Sequence, residues 1–189
     1  VPISSKLVAD LLTAAGTNRI LSMDLHAGQI QGFFDIPVDH LYAAPVLVEY
    51  FRNMDIPDLT VVSPDAGGVE RARAFAKRLD ADLAVVDKRR TGPNEAEVLH
   101  VIGHVSGRNI IICDDMIDTA GTLVNTVLAL KKKKAERIYA SATHGILSGP
   151  AIDRLGSAPL EEILLTDTVP IAPEKVLPNM KVLSVAPLL

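Results

Sequence analysis

Apolar positions along this chain recur in two rhythms, one with helical spacing and one as short unbroken runs. Over residues 3–16, Ile3, Leu7, Val8, Leu11 and Leu12 fall on one face of a predicted helix, and Gly16 suits its C-terminal stop. RILSMDL (19–25) then reads as a buried strand. The alternation continues with a helix over 44–53, strands over 59–63 and 83–88, and a helix over 67–80 between them. NIIICDD (109–115) is a strand expected to end near Cys113, followed by a helix from Gly121 into the lysines 131–134. A strand over 137–144, a short helix near Ala151 and a strand over 161–167 complete the series. Near-continuous apolar strands separated by helices predict an α/β fold with a mostly parallel sheet covered on both faces. Ligands of such sheets bind beyond the carboxyl ends of the strands, so motifs there carry the chemistry.

One internal echo cuts across this order. NRILSMDLHAG and ERIYASATHGI both place histidine seven positions after arginine, giving His26 and His144. Two units of related design, separated by a break near 42–45, would account for it; chance resemblance over so short a stretch is the alternative.

Composition narrows the field. With 189 residues, 48% of them apolar, the chain can build a core without staples, and its formal charge of −4 argues against an electrostatic grip on nucleic acid. Cys113 is the single cysteine and reads as a small buried hydrophobe, so no intrachain disulfide forms. No apolar run approaches the roughly 20 residues of a membrane helix. The expectation is a soluble, cytoplasmic protein acting on small molecules. A first residue Val1, so close to an amphipathic segment, suggests a piece of a longer chain.

The densest motif is IIICDDMIDTAGT (110–122). Thr119, Ala120, Gly121 and Thr122 form a turn at a helix N-terminus, where backbone N–H groups and the helix dipole favour an anion. Carboxylates such as Asp114 and Asp115 accept hydrogen bonds from vicinal hydroxyls, so acid and anion sites side by side describe a sugar phosphate. The same residues also suit an acidic helix-capping loop. In SPDAGG (63–68), Asp65 precedes a glycine pair and offers an oxygen ligand to Mg²⁺; an ordinary turn is the alternative. His26 ends its strand as a metal ligand, a phosphate donor or a partner of a local carbonyl. Lys88, Arg89 and Arg90 are either a solvated basic face or a loop that closes over a polyphosphate. The lysines 131–134 complement a helix C-terminus.

Together, MDLHAGQIQGFFDIP, SPDAGGVERA, DKRR, IICDDMIDTAGT and ATHGILS resemble the ribose-phosphate diphosphokinase (phosphoribosyl-diphosphate synthetase) family, in its order and near its spacing. The acidic pair with its Thr-Gly loop alone indicates only the wider type I phosphoribosyltransferase-like fold; DLHA and KRR narrow it. The resemblance implies transfer of the diphosphoryl group of ATP to the C1 hydroxyl of ribose 5-phosphate, with Mg²⁺ as cofactor. It implies that Asp118, Thr119, Ala120, Gly121 and Thr122 cradle the 5-phosphate while Asp114 and Asp115 hold ribose hydroxyls. His26 and Asp65 correspond to contacts with Mg²⁺ or the ATP phosphates, and Lys88 and Arg90, with His26, to the catalytic set. Gln31 and Asp39 correspond to a regulatory site for phosphate or ADP, where His40 replaces a more usual asparagine. Residues 1–43 would be the C-terminal half of an N-terminal phosphoribosyltransferase-like domain and 44–189 a second such domain. A homo-oligomer, a hexamer, is implied, with neither nucleic-acid nor membrane partners.

Two other readings compete. A type I phosphoribosyltransferase using a nucleobase needs the acidic-pair loop but gives Lys88 and Arg90 no special task. A non-catalytic regulatory subunit would keep the fold and lose or alter both elements, which this sequence retains.

Overall fold

The structure, a computed structural model, describes residues 4–89 and 98–189. The chain divides into two compact units, essentially residues 1–43 and 44–187.

The first unit contains helix α1 (Ser4–Ala14), strands β1 (Ile20–Met23) and β2 (Val38–Leu41), which pair in parallel, and a 3₁₀ turn (Gly28–Phe33) between those strands. The expected apolar face of α1 is not its packed face. Leu7, Val8, Leu11 and Leu12 are all exposed, and the buried residue is Ala9. Helical spacing identifies a stripe but not what covers it; Ile3 lies outside the described residues.

The second unit is a seven-stranded sheet in the order β5-β4-β3-β6-β7-β8-β9. Its strands are β3 (Leu59–Ser63), β4 (Asp82–Arg89), β5 (Val98–Ile102), β6 (Asn109–Ile117), β7 (Ile138–Gly145), β8 (Glu162–Thr166) and β9 (Met180–Leu183). All pairs are parallel except β4 with β5, so the mostly parallel α/β sheet expected from the pattern is what forms. Helices α2 (Ala44–Asn53), α3 (Val69–Leu79), α4 (Gly121–Lys132) and α5 (Ala151–Ser157) flank it.

The central strands are apolar because their neighbours bury both of their faces. Val61, Val62, Ile110, Ile111, Ile138 and Ile163 are wholly inaccessible. Backbone close approach fixes one glycine outright: Gly103 has φ +115°, and a Cβ there would stand 2.7 Å from that of Ala84. Lys131 and Lys132 close the last turn of α4, where cations complement the dipole.

One boundary differs in a way that matters for chemistry. β6 does not stop near Cys113 but continues to Ile117, paired with β7 through Asp114↔Ala142 and Ile117↔Gly145. On its other side the last matched pair with β3 is Val62↔Ile112. The acidic pair therefore sits on a strand still held from one side while its other neighbour has turned away.

Candidate active site

The overhang of β6 places Asp114 and Asp115 at the carboxyl end of the sheet, where a parallel α/β fold presents its ligand site. Asp115 is buried at 3% exposure, and Arg71, from the first turn of α3, reaches it at 3.2 Å. The same guanidinium stands 3.7 Å from Asp114. Asp114 Oδ1 also accepts the Asp115 N–H at 2.9 Å. Burial, and then the neighbouring Asp115, push the Asp114 carboxyl up to about 7, with Arg71 pulling the other way. Arg71 thus reaches both carboxylates.

Beyond Ile117 the chain turns through exposed Asp118 and Thr119 into buried Ala120, then enters α4 at Gly121 and exposed Thr122. Ala120 adopts the left-handed region, φ +59° and ψ 5°, and no side-chain hydrogen bond caps the helix. The first N–H groups of an α-helix lack partners within the helix, so this start is open to an external anion. The Ser148 hydroxyl donates to the Asp118 carboxylate, and Arg154 Nη1 donates to the Thr119 carbonyl at 2.9 Å.

The loop after β3 is built differently. Asp65 Oδ1 accepts the Gly68 N–H at 2.9 Å, and the Ser63 hydroxyl donates to the Asp65 carbonyl at 2.7 Å. A Cβ on Gly68 would lie 2.9 Å from Ser63 Oγ, so glycine permits this closure. Asp65 is half-buried.

In the first unit, His26 is exposed just after β1. The two residues before it are anchored: buried Asp24, at φ +42°, accepts the Ala43 N–H at 2.9 Å, and His40 Nε2 accepts the Leu25 N–H at 2.9 Å. Gln31 Nε2 lies 3.1 Å from His40 Nδ1. Asp39 is engaged by Arg19 at 2.5 Å, which holds its carboxyl below the usual range. His144, the second half of the sequence echo, meets the Thr168 hydroxyl at 2.9 Å.

Lys88 is the penultimate residue of β4, in register with Leu99, and Arg90 lies outside the described residues. Among the described residues no three His, Cys, Asp or Glu side chains gather as a metal cluster. Arg71, Ser148 and Arg154 were not singled out from sequence. The available signal was position: Arg71 lies in the first turn after Gly67-Gly68, and Ser148 lies in the ATHGILS motif.

Residues 89–189 match the family described as phosphoribosyl synthetase-associated domain. The chain belongs to this family. Its relatives include the ribose-phosphate pyrophosphokinases of Caldanaerobacter subterraneus subsp. tengcongensis, 56% identical over 99% of this chain and 60% of that protein, and of Chromobacterium violaceum, 57% identical over 100% and 58%. The crystal structure of phosphoribosylpyrophosphate synthetase from Mycobacterium smegmatis superposes with a TM-score of 0.93 at 45% identity, over 100% of this chain and 61% of that one. The family member described here thus spans about 60% of the length of such relatives.

Proposed function

We propose that this chain carries the ribose 5-phosphate site of a ribose-phosphate diphosphokinase, which transfers the diphosphoryl group of ATP to the C1 hydroxyl and releases AMP. The observation that carries this reading is an acidic pair, Asp115 buried and Asp114 half-buried, followed within a few residues by a helix start without a side-chain cap. Asp118, Thr119, Ala120, Gly121 and Thr122 receive the 5-phosphate, and Asp114 and Asp115 receive ribose hydroxyls. Arg71 keeps two adjacent carboxylates tolerable in a partly desolvated place.

The C1 oxygen attacks the β-phosphorus in line while charge spreads over the transferring and leaving oxygens, so the protein contributes mainly position and electrostatics. Lys88 and Arg90 neutralise that charge. His26 contacts Mg²⁺ or the ATP phosphates. Asp65 fits Mg²⁺ by donor chemistry, because this ion takes one or two carboxylates and completes its shell with water and substrate phosphate, without an all-protein cage. When bound, Mg²⁺ would screen the phosphate oxygens.

For the whole protein we infer a cytoplasmic homo-hexamer regulated by phosphate and ADP through a site that includes Gln31 and Asp39. Residues 1–43 are the C-terminal half of an N-terminal phosphoribosyltransferase-like domain, a reading supported by the exposed Leu7, Val8, Leu11 and Leu12 stripe. Among the described residues no helix is long and apolar enough to cross a membrane.

The test has two arms. Calorimetry with the 189-residue chain should detect ribose 5-phosphate binding, and ³¹P NMR of the whole protein with ATP, Mg²⁺ and ribose 5-phosphate should show AMP and phosphoribosyl diphosphate. Lys88→Ala should lower turnover by about 100-fold or more while ribose 5-phosphate affinity stays, as expected for a group acting only in the transition state. Consumption of phosphoribosyl diphosphate with a nucleobase, unaffected by Lys88→Ala, would replace this reading with a base-using transferase.

A further inference from the structure

The segment after β7 grips the phosphate turn through three successive carbonyls. Ile117 O accepts from the Ile146 and Leu147 N–H groups at 3.0 and 3.1 Å, Asp118 O from the Ser148 N–H at 3.1 Å, and Thr119 O from Arg154 Nη1 at 2.9 Å. A trans peptide is planar, so each carbonyl and the N–H of the following residue point in opposite directions. Holding the carbonyls of 117, 118 and 119 toward residues 146–154 therefore aims the N–H groups of Asp118, Thr119 and Ala120 the other way. The first two grips are backbone to backbone and tolerate any side chain. The third depends on one guanidinium, and it acts where the chain is least willing to stay: Ala120 is held left-handed, a conformation disfavoured for a residue with a Cβ.

We propose that Arg154 is a positioning residue for ribose 5-phosphate, fixing the Thr119–Ala120 peptide so that the Ala120 N–H faces the 5-phosphate. This deepens the substrate reading above and rests on it. Gly121 supplies an independent observation. A Cβ there would stand 3.3 Å from Arg154 Nη1 and 3.9 Å from its Cζ, so the guanidinium lies against the bare face of this glycine. The φ of Gly121 is not left-handed, and an alanine would suit the first position of a helix; crowding of Arg154 is the principal objection to it.

Arg154 is exposed, so its replacement should leave the fold intact. Ribose 5-phosphate titrated calorimetrically into the 189-residue chain should bind Arg154→Gln about tenfold more weakly than the unmodified chain, the loss of one charge-assisted hydrogen bond. Arg154→Lys, which keeps a cationic donor, should recover part of that loss. Gly121→Ala should weaken binding on its own, and adding it to Arg154→Gln should weaken it little further, because both changes remove one contact. In the ligand-free protein, Arg154→Gln should move the ¹⁵N–¹H resonance of Ala120 and speed exchange of its proton. Unchanged affinity in Arg154→Gln would overturn the proposal. So would fully multiplicative losses in the double variant, or weaker binding with the Ala120 resonance unmoved, which would make Arg154 a direct phosphate contact. Failure of the unmodified chain to bind would instead overturn the substrate reading, leaving the Ala120 resonance as the test of Arg154.

Discussion

Two strand-end loops of the second unit use the same residue types to opposite effect. After β3, the Asp65 carboxylate takes the Gly68 N–H, and Ser63 takes the Asp65 carbonyl, so the loop satisfies itself. After β6, no side chain caps α4, and the acids lie upstream in the strand, tied to Arg71 rather than to the helix start. Neither α3 nor α4 has a side-chain cap; the loop before α3 turns the Asp65 carboxylate onto its own Gly68 N–H, whereas the turn before α4 makes no such bond. On the proposed reading, the carboxylate-bearing loop would serve a cation and the amide-bearing turn an anion, at the ends of adjacent strands.

The comparison breaks most severely at Asp115. Asp115→Asn leaves the Arg71 guanidinium with a weakened partner in a buried place and removes an acceptor for a ribose hydroxyl. Urea denaturation should register a loss of about 3 kcal/mol, and ribose 5-phosphate binding should weaken by about 100-fold. If binding is unchanged in the folded variant, the acidic pair is structural only, and the anion turn alone holds the ligand.

A smaller effect follows from Asp114, whose carboxyl is raised from 3.8 to about 7 by burial and by Asp115. Below 3.8 both folded and unfolded states carry its proton; between 3.8 and about 7 mainly the folded state does; above about 7 neither does. The folded state binds more protons across that window, so stability falls as pH rises through it. Ionised Asp114 accepts hydroxyls with both oxygens, so affinity for ribose 5-phosphate should climb about tenfold between pH 6 and 8. Asp114→Asn should flatten the stability slope and leave only the affinity change due to the phosphate's own ionisation. A slope identical in both proteins would reassign the titration to another group.

What could be read in advance divides along the same physical line. Central strands such as β3, β6 and β7 were legible because burial on both faces demands unbroken apolar runs. β2, β5 and β9 were not, since VDHL is half-buried throughout and MKVL has two exposed residues among its four. The open turn was legible because Thr-Ala-Gly-Thr at a helix start is a local signal. Arg71 and Arg154 were not, because their partners lie 44 and 35 residues away, and a guanidinium's role is set by what the fold brings to it. The end of β6 was placed too early for a related reason: acids look like a strand terminus, yet pairing with β7 carries the strand past them.

The smallest effect separates the observed loop contact of Asp65 from its proposed role toward Mg²⁺. Asp65→Ala removes the acceptor of the Gly68 N–H and should lower stability by about 1 kcal/mol, the usual consequence of losing one hydrogen bond. Asp65→Asn keeps an oxygen for that N–H and should restore most of the loss, while offering Mg²⁺ a neutral ligand in place of a charged one. Ribose 5-phosphate affinity should be unchanged in both variants, and the Mg²⁺ concentration needed for half-maximal turnover should rise in both. Recovery of Mg²⁺ dependence along with stability in Asp65→Asn would make the carboxylate a loop-closing group only. The contrast between the two loops would then be one of closure alone, with the cation held elsewhere.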